Sequence, residues 1–164
     1  MQKPELGKSI CVGDNRGVFS ASELNGEWVQ TNVSYNTSKY TFRGMHLQSS
    51  PHSQSKLIKV VRGSITDIVV DLREDSDDYM VVQTYYMEKG EELFVPKGFA
   101  HGFITMEDHT VVQYLVDYPY TPEADVSIHW KSFERIEDIF TRSFGDLIIS
   151  DKDRDAPVIK DYKV

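Results

Sequence analysis

The stretch GEELFVPKGFAHGF, residues 90–103, reads as strand, turn, strand. The run ELFV leads into Pro96-Lys97-Gly98, and HGFIT (101–105) follows. Pro96 fixes φ and Gly98 tolerates a positive φ, so the chain can reverse tightly between the two runs. His101 opens the second run, where strand alternation can point its ring into a barrel. A turn beside a satisfied core histidine and a pocket histidine fit this stretch equally well.

The flanking sequence repeats the pattern. LIKVV (57–61) and SITDIVVDL (64–72) flank Arg62-Gly63, and YMVVQTYYM (79–87) and TVVQYLVDY (110–118) complete the series. These runs are rich in Val, Ile, Tyr and Phe, with Gly, Asp, Ser or Pro between them. Many short strands at such spacing predict an all-β sandwich or barrel. SFERIEDIFTR (132–142) is the exception. Phe133, Ile136 and Phe140 recur at helical spacing, which predicts one short C-terminal helix packed on the outside of the β-core. No repeat, low-complexity tract or linker divides the chain, so residues 1–164 are expected to form a single domain.

Composition narrows the function. The 164 residues are 40% hydrophobic and 12% aromatic, which suits a globular protein. The net charge is −8, with acidic residues gathered in REDSDD (73–78) and SDKDRD (150–155). Such a surface attracts neither nucleic acid nor an anionic membrane, although local cations can still hold a small anion. There is no apolar run of membrane-spanning length and no signal-peptide pattern, and Cys11 is the single cysteine. A reducing, cytoplasmic setting is the expectation.

Gly90, Pro96, Gly98 and His101 spell G-x5-P-x-G-x2-H, the second motif of the cupin superfamily. The resemblance implies a cupin-type jelly-roll β-barrel. A metal-binding cupin carries His-x-His and then Glu in its first motif. Here RGMHLQSSPHSQSK (43–56) has Gln48 two residues after His46, no nearby Glu, and His52 at the wrong spacing. A transition-metal site needs three or four convergent ligands, so no catalytic metal is expected. A histidine in a metal-free pocket points to proton chemistry.

RGMHLQ, KVVRGSITDIVVDLR, VPKGFAHGF and ISDKDRDAP together resemble the dTDP-4-dehydrorhamnose 3,5-epimerase family, from DNRGVF (14–19) to Pro157 and in the family's order. The resemblance implies inversion of carbons beside the ketone of a 4-keto-6-deoxy nucleotide sugar, without a cofactor. Such chemistry needs a base, an acid on the far face and a positive group near the ketone oxygen. By resemblance, His46 is the base, Asp153 its carboxylate partner, Tyr114 the acid and Lys56 the cation at the enolate oxygen. Arg43 is matched to the phosphate side, His101 to the sugar or ketone oxygen with Asp67 to orient it, and Arg16 to the diphosphate. Phe19, Gln30, Asn32, Tyr118 and Tyr120 match further substrate positions. Family members are homodimers whose N-terminal strands pack across the interface, which is the assembly expected here.

Some positions depart from the family. Val18 and Ala21 stand where an aromatic and a glutamate are usual, Leu115 replaces a lysine, and the sequence between Trp130 and Ile149 loses the Trp-Pro pattern. These leave open which nucleotide and sugar are used and whether C3, C5 or both are inverted. A 3,4-ketoisomerase on a similar barrel, a non-catalytic nucleotide-sugar binder and a metal-dependent cupin oxygenase are the competing readings. The Tyr114 and Asp153 matches favour epimerisation over the first.

Overall fold

A computed structural model of the chain describes residues 2–8, 10–14, 17–21, 28–144 and 146–160. Among these residues the strands are β1 (Glu5–Lys8), β2 (Ile10–Asp14), β3 (Gly17–Ala21), β4 (Gln30–Asn36), β5 (Thr41–Gln48), β6 (Lys56–Arg62), β7 (Ser64–Asp71), β8 (Val82–Glu88), β9 (Glu91–Val95), β10 (Phe99–Thr105), β11 (Thr110–Val116), β12 (Asp125–Ser127) and β13 (Ile148–Ile149). Two helices, α1 (Glu134–Ser143) and α2 (Asp151–Arg154), lie near the C-terminus. One sheet has the order β1-β9-β6-β11-β4, and a second has β12-β5-β10-β7-β8 with β13 beside β5. β2 and β3 pair with each other as an antiparallel hairpin. The expected all-β jelly roll with a short C-terminal helix is the observed fold.

Period-two alternation sorts each strand into two faces. Ile58, Val60, Leu93, Val95 and Val112 of the first sheet meet Ile65, Val69, Met87, Phe99 and Phe103 of the second in one buried cluster. That cluster is the apolar filling of a two-sheet sandwich. The opposite face of the second sheet carries Met45, Leu47, Ile68, Val70 and Ile104, and it is covered by the C-terminal segment. Phe133, Ile136 and Phe140 are all buried there, as their spacing predicts, and Phe140 stacks edge-on against Phe42 with centroids 5.0 Å apart.

The expected strand at 79–87 begins late. β8 starts at Val82, and the residues before it form a turn in which the Met80 N–H donates to the Asp71 carbonyl at 2.7 Å. The buried Asp71 carboxylate organises this turn, accepting from Arg73 Nε at 2.8 Å and Ser76 Oγ at 2.7 Å. Met80 takes φ 63° to close it. A local hydrogen-bond cage thus overrides the strand preference of an apolar run.

β5 holds an irregularity that matters for function. His101 pairs with His46, and Phe103 pairs with Arg43, so two steps along β10 match three along β5. This is a β-bulge, and the extra residue puts Arg43 and His46 on one face although they are three apart. Glycines permit it. Gly44 has φ +146°, and a Cβ there would lie 2.6 Å from Gly102 Cα. A Cβ on Gly102 would meet the Arg43 carbonyl at 2.8 Å and Met45 Sδ at 2.9 Å.

Replacing Gly102 by alanine should therefore force the strands apart. The expected loss is about 2 kcal/mol, seen as a lower urea midpoint at unchanged slope. A loss below about 0.5 kcal/mol would show that the close approach is dispensable.

Candidate active site

The polar end of the sandwich holds a cavity with two lobes of ≈ 380 and ≈ 430 Å³. His46, Lys56, Tyr114 and Lys152 line both lobes. Gln30, Asn32, Gln48, Tyr120 and Asp125 border the first, and Arg43, His101, Phe103 and Asp153 border the second.

Strand register places these groups. In the first sheet, Val116 lies between Gln30 and Lys56, and Tyr114 lies between Asn32 and Ile58. In the second sheet, His101 lies between His46 and Val69, and Phe103 lies between Arg43 and Asp67. His46 and Tyr114 therefore belong to different sheets and reach the cavity from its two walls.

His46 Nε2 is 2.6 Å from Asp153 Oδ1. The carboxylate comes from α2, whose cap Ser150 accepts the Asp153 N–H at 3.2 Å. Asp153 is only 3% exposed, and its Oδ2 accepts the Gly44 N–H at 3.2 Å. Burial alone would raise the Asp153 carboxyl. The His46 hydrogen bond and charge, the Gly44 N–H and the Ser150 hydroxyl outweigh it and hold the carboxyl below its ordinary value. A carboxylate so placed fixes the imidazole tautomer with Nε2–H toward Asp153, leaving Nδ1 as the free base.

His101 forms a second pair, with Nε2 2.8 Å from Asp67 Oδ2. Asp67 shares its strand face with Ile65 and Val69, opposite Ile68, Val70 and Leu72, as alternation predicts. Its burial raises the carboxyl, and the His101 and Lys56 charges offset this only in part. Among the described residues, Asp67 Oδ1 has no hydrogen-bond partner. Lys56 Nζ donates to the His46 carbonyl at 3.3 Å. Burial pulls the Lys56 ammonium down to about 8, against the attraction of Asp67 and Asp125. Burial also raises the Tyr114 hydroxyl, countered by Arg43, so it stays protonated at neutral pH. Arg43 Nε donates to Asn36 Oδ1 at 2.8 Å, which directs the guanidinium along the cavity wall.

The sequence profile described as dTDP-4-dehydrorhamnose 3,5-epimerase matches residues 11–161. The chain belongs to the dTDP-4-dehydrorhamnose 3,5-epimerase family. Among relatives, the enzyme of that name from Methanothermobacter thermautotrophicus is 36% identical over 152 residues, covering 92% of this chain and 81% of its own. The Escherichia coli enzyme is 35% identical over 153 residues, covering 86% of this chain and 81% of its own. In three dimensions the chain is similar to the Bacillus anthracis enzyme solved with TDP and PPi bound, with TM-score 0.85, 37% identity and 95% and 94% of the two chains covered. It is also similar to the Legionella pneumophila enzyme solved with dTDP-4-keto-L-rhamnose, with TM-score 0.81, 28% identity and 93% and 86% covered.

The structure of this family member gathers most of the expected residues. His46, Lys56, Tyr114, Asp153, Arg43, His101, Gln30, Asn32 and Tyr120 all line the cavity. Tyr118 does not: its hydroxyl meets His52 Nδ1 at 3.0 Å, outside the lining of either lobe. Phe19 sits in β3, and its side chain lies outside the described residues, as does Arg16 entirely. Among the described residues no group of three His, Cys, Asp or Glu side chains is arranged to hold a metal ion.

Sequence reading missed Lys152, Asp125 and Gln48. Lys152 Nζ bonds Asp125 Oδ2 at 2.6 Å between the two lobes. Its signal in the sequence was adjacency to Asp153. In SDKDRD, Lys152 reads as one more solvated charge until α2 docks against β5.

Lys56 carries a testable cost. Its ammonium falls from 10.5 to about 8 on folding, so the native state binds fewer protons than the unfolded state between those values. Stability therefore rises with pH across that window, and the cost is fully present below about pH 8. Lys56→Met should raise stability at pH 7 by about 1–2 kcal/mol, less than the full shift because Asp67 and Asp125 lose an attractive charge. Chemical denaturation at pH 7 and pH 10 checks the sign, since the advantage should shrink at the higher pH. A variant less stable than wild type at pH 7 would refute this.

Proposed function

We propose that this chain inverts C3, C5 or both in a 4-keto-6-deoxyhexose carried on a nucleotide, such as dTDP-4-dehydro-6-deoxyglucose. The observation that carries this reading is the placement of His46, backed by buried Asp153, on one wall of a cavity and Tyr114 on the other. A sugar ring bound between the sheets meets a base on one face and an acid on the opposite face, which is what inversion requires.

The steps follow from the groups present. His46 Nδ1 takes the proton from the carbon beside the ketone, and Asp153 stabilises the resulting imidazolium. Electron density moves to the ketone oxygen, where the Lys56 ammonium stabilises the enolate charge. Tyr114 returns a proton to the other face of the same carbon. His46 then holds one extra proton and Tyr114 one fewer, and exchange with solvent restores both. Arg43 and Lys152 favour a diphosphate-linked substrate, because both cations border the cavity of an otherwise acidic protein.

In heavy water, with a panel of 4-keto nucleotide sugars, wild type should incorporate deuterium at the inverted carbon. His46→Ala should abolish exchange at both carbons, with turnover lowered about 10²- to 10⁴-fold. Tyr114→Phe should still permit proton removal while failing to give inverted product. Normal turnover by His46→Ala would remove the base assignment. A ketone that relocates in the product NMR spectrum would replace epimerisation with ketoisomerisation.

The same reading includes a homodimer. Val61, 40% exposed, lies on the outer face of the first sheet, and Tyr35, 75% exposed, lies on its edge strand β4 beside the second lobe. Uncovered apolar side chains on a sheet face mark an association surface. Val61→Glu should shift the sedimenting species toward monomer, and an unchanged dimer would exclude this face.

A further inference from the structure

Residues 117–124 join β11 to β12, and Tyr120 of this loop and Asp125 at the start of β12 border the first lobe. Glutamine side chains from elsewhere in the chain hold the backbone at the centre of this loop. Gln54 Nε2 donates to the Tyr118 carbonyl at 2.7 Å, and Gln48 Nε2 donates to the Pro119 carbonyl at 3.3 Å. The Tyr120 N–H donates to Gln30 Oε1 at 3.0 Å, and the Thr121 N–H donates to Gln48 Oε1 at 2.7 Å. Exposed loops ordinarily leave such groups to water. Here four successive residues each have a backbone group tied to an amide side chain.

Gln48 is the centre of this arrangement. It is 4% exposed, and its second amide hydrogen goes to the His52 carbonyl at 2.7 Å. Both donors and one acceptor position are therefore taken up by the chain itself. A buried amide is costly unless fully bonded, and an apolar residue would fill the position without that requirement. Gln30 is similarly engaged, since its Nε2 donates to Asn32 Oδ1 at 2.8 Å. What the loop presents to the cavity is the Tyr120 ring, with its hydroxyl donating to Asp125 Oδ2 at 3.3 Å, and beside it the Asp125–Lys152 ion pair.

We propose that Gln48 is a positioning residue for substrate recognition: with Gln30 and Gln54 it clasps the 117–124 loop and acts on the bound nucleotide sugar through Tyr120. This rests on the reading of the cavity as a nucleotide-sugar site with Tyr120 in contact with substrate. Gln30 takes part in the clasp while still lining the cavity.

A double-mutant cycle tests it. With a 4-keto nucleotide sugar as substrate, Tyr120→Leu should raise KM about tenfold, and Gln48→Leu about fivefold, with kcat changing much less. In the Tyr120→Leu background, Gln48→Leu should add less than about twofold, because its effect is transmitted through the missing ring. A general loss of structure would lower kcat and the melting temperature and would add to Tyr120→Leu instead of merging with it. If Gln48→Leu fails to fold, Gln54→Leu on the same loop carries the cycle. A normal KM in the folded clasp variant, or full additivity, overturns the clasp while leaving the Tyr120 contact standing. A normal KM in Tyr120→Leu overturns that contact, and the clasp's role in recognition with it.

Discussion

One extra residue in β5 sets the geometry of the cavity. In a regular strand, Arg43 and His46 would face opposite sides, and one of them would point into the apolar layer beneath α1. The bulge at Gly44 brings both to the same wall. Two things hold the bulge in place. Gly44 and Gly102 approach too closely for any side chain, and Asp153 accepts the Gly44 N–H with the oxygen it does not give to His46. The carboxylate that orients the imidazole therefore also fixes the backbone that aims it. Two small features of the chain, 107 positions apart in the case of His46 and Asp153, act as one unit.

The sandwich divides its interior between packing and chemistry. Val60, Val69, Leu93 and Phe99 belong to the apolar filling and are fully or nearly fully buried. Lys56, Asp67, His101 and Tyr114 lie beside that filling, in surroundings that push the first two away from their charged forms. Burying these groups works against stability. Behind β5, the strand that carries Arg43 and His46, the residues Phe42, Ile136 and Phe140 form the second apolar layer against α1. A strand clamped by packing on one face can carry strained or poorly solvated groups on the other.

What could be read from the sequence follows from these causes. The strands between residues 57 and 118 alternate regularly, and most were legible for that reason. β5 was not, because its bulge breaks the period at Gly44. The residues just before β8 were misread because a buried Asp71 makes a turn more favourable than a strand. Asp153 sits in an acidic run that looks solvated, and only the family resemblance singled it out. Its burial depends on α2 docking beside β5, a contact no local pattern encodes. Tyr118 and Tyr120 looked equivalent, but alternation does not extend into a loop, and Tyr118 turns to His52. Gln48 was noted only for not being a metal ligand. Its partners at 52, 119 and 121 become visible only once β12 lies against β5.

Of the departures from the family pattern, Val18 and Ala21 lie in β3, with side chains outside the described residues, and the others lie away from the cavity lining. Leu115 pairs with Thr31 and Leu57, one residue out of phase with inward-facing Tyr114, so it lies on the outer face of its sheet. Trp130 packs on Phe140 in the layer behind β5, with centroids 5.0 Å apart. Neither Leu115 nor Trp130 lines the cavity. The proposed substrate contact through Tyr120 lies on a different part of the chain. His46 and Tyr114, the proposed base and acid, are set by register within continuous sheets, where a one-residue slip would reverse every side chain. Tyr120 is set by a loop held by a few amide hydrogen bonds, each worth about 1 kcal/mol, while Asp125 is set by the pairing of β12 with β5 just beyond it. A tenfold change in substrate preference needs only about 1.4 kcal/mol, so changes in the loop and its clasp are sufficient to redirect it. Proton transfer between the two walls would be untouched, because no strand register has to move.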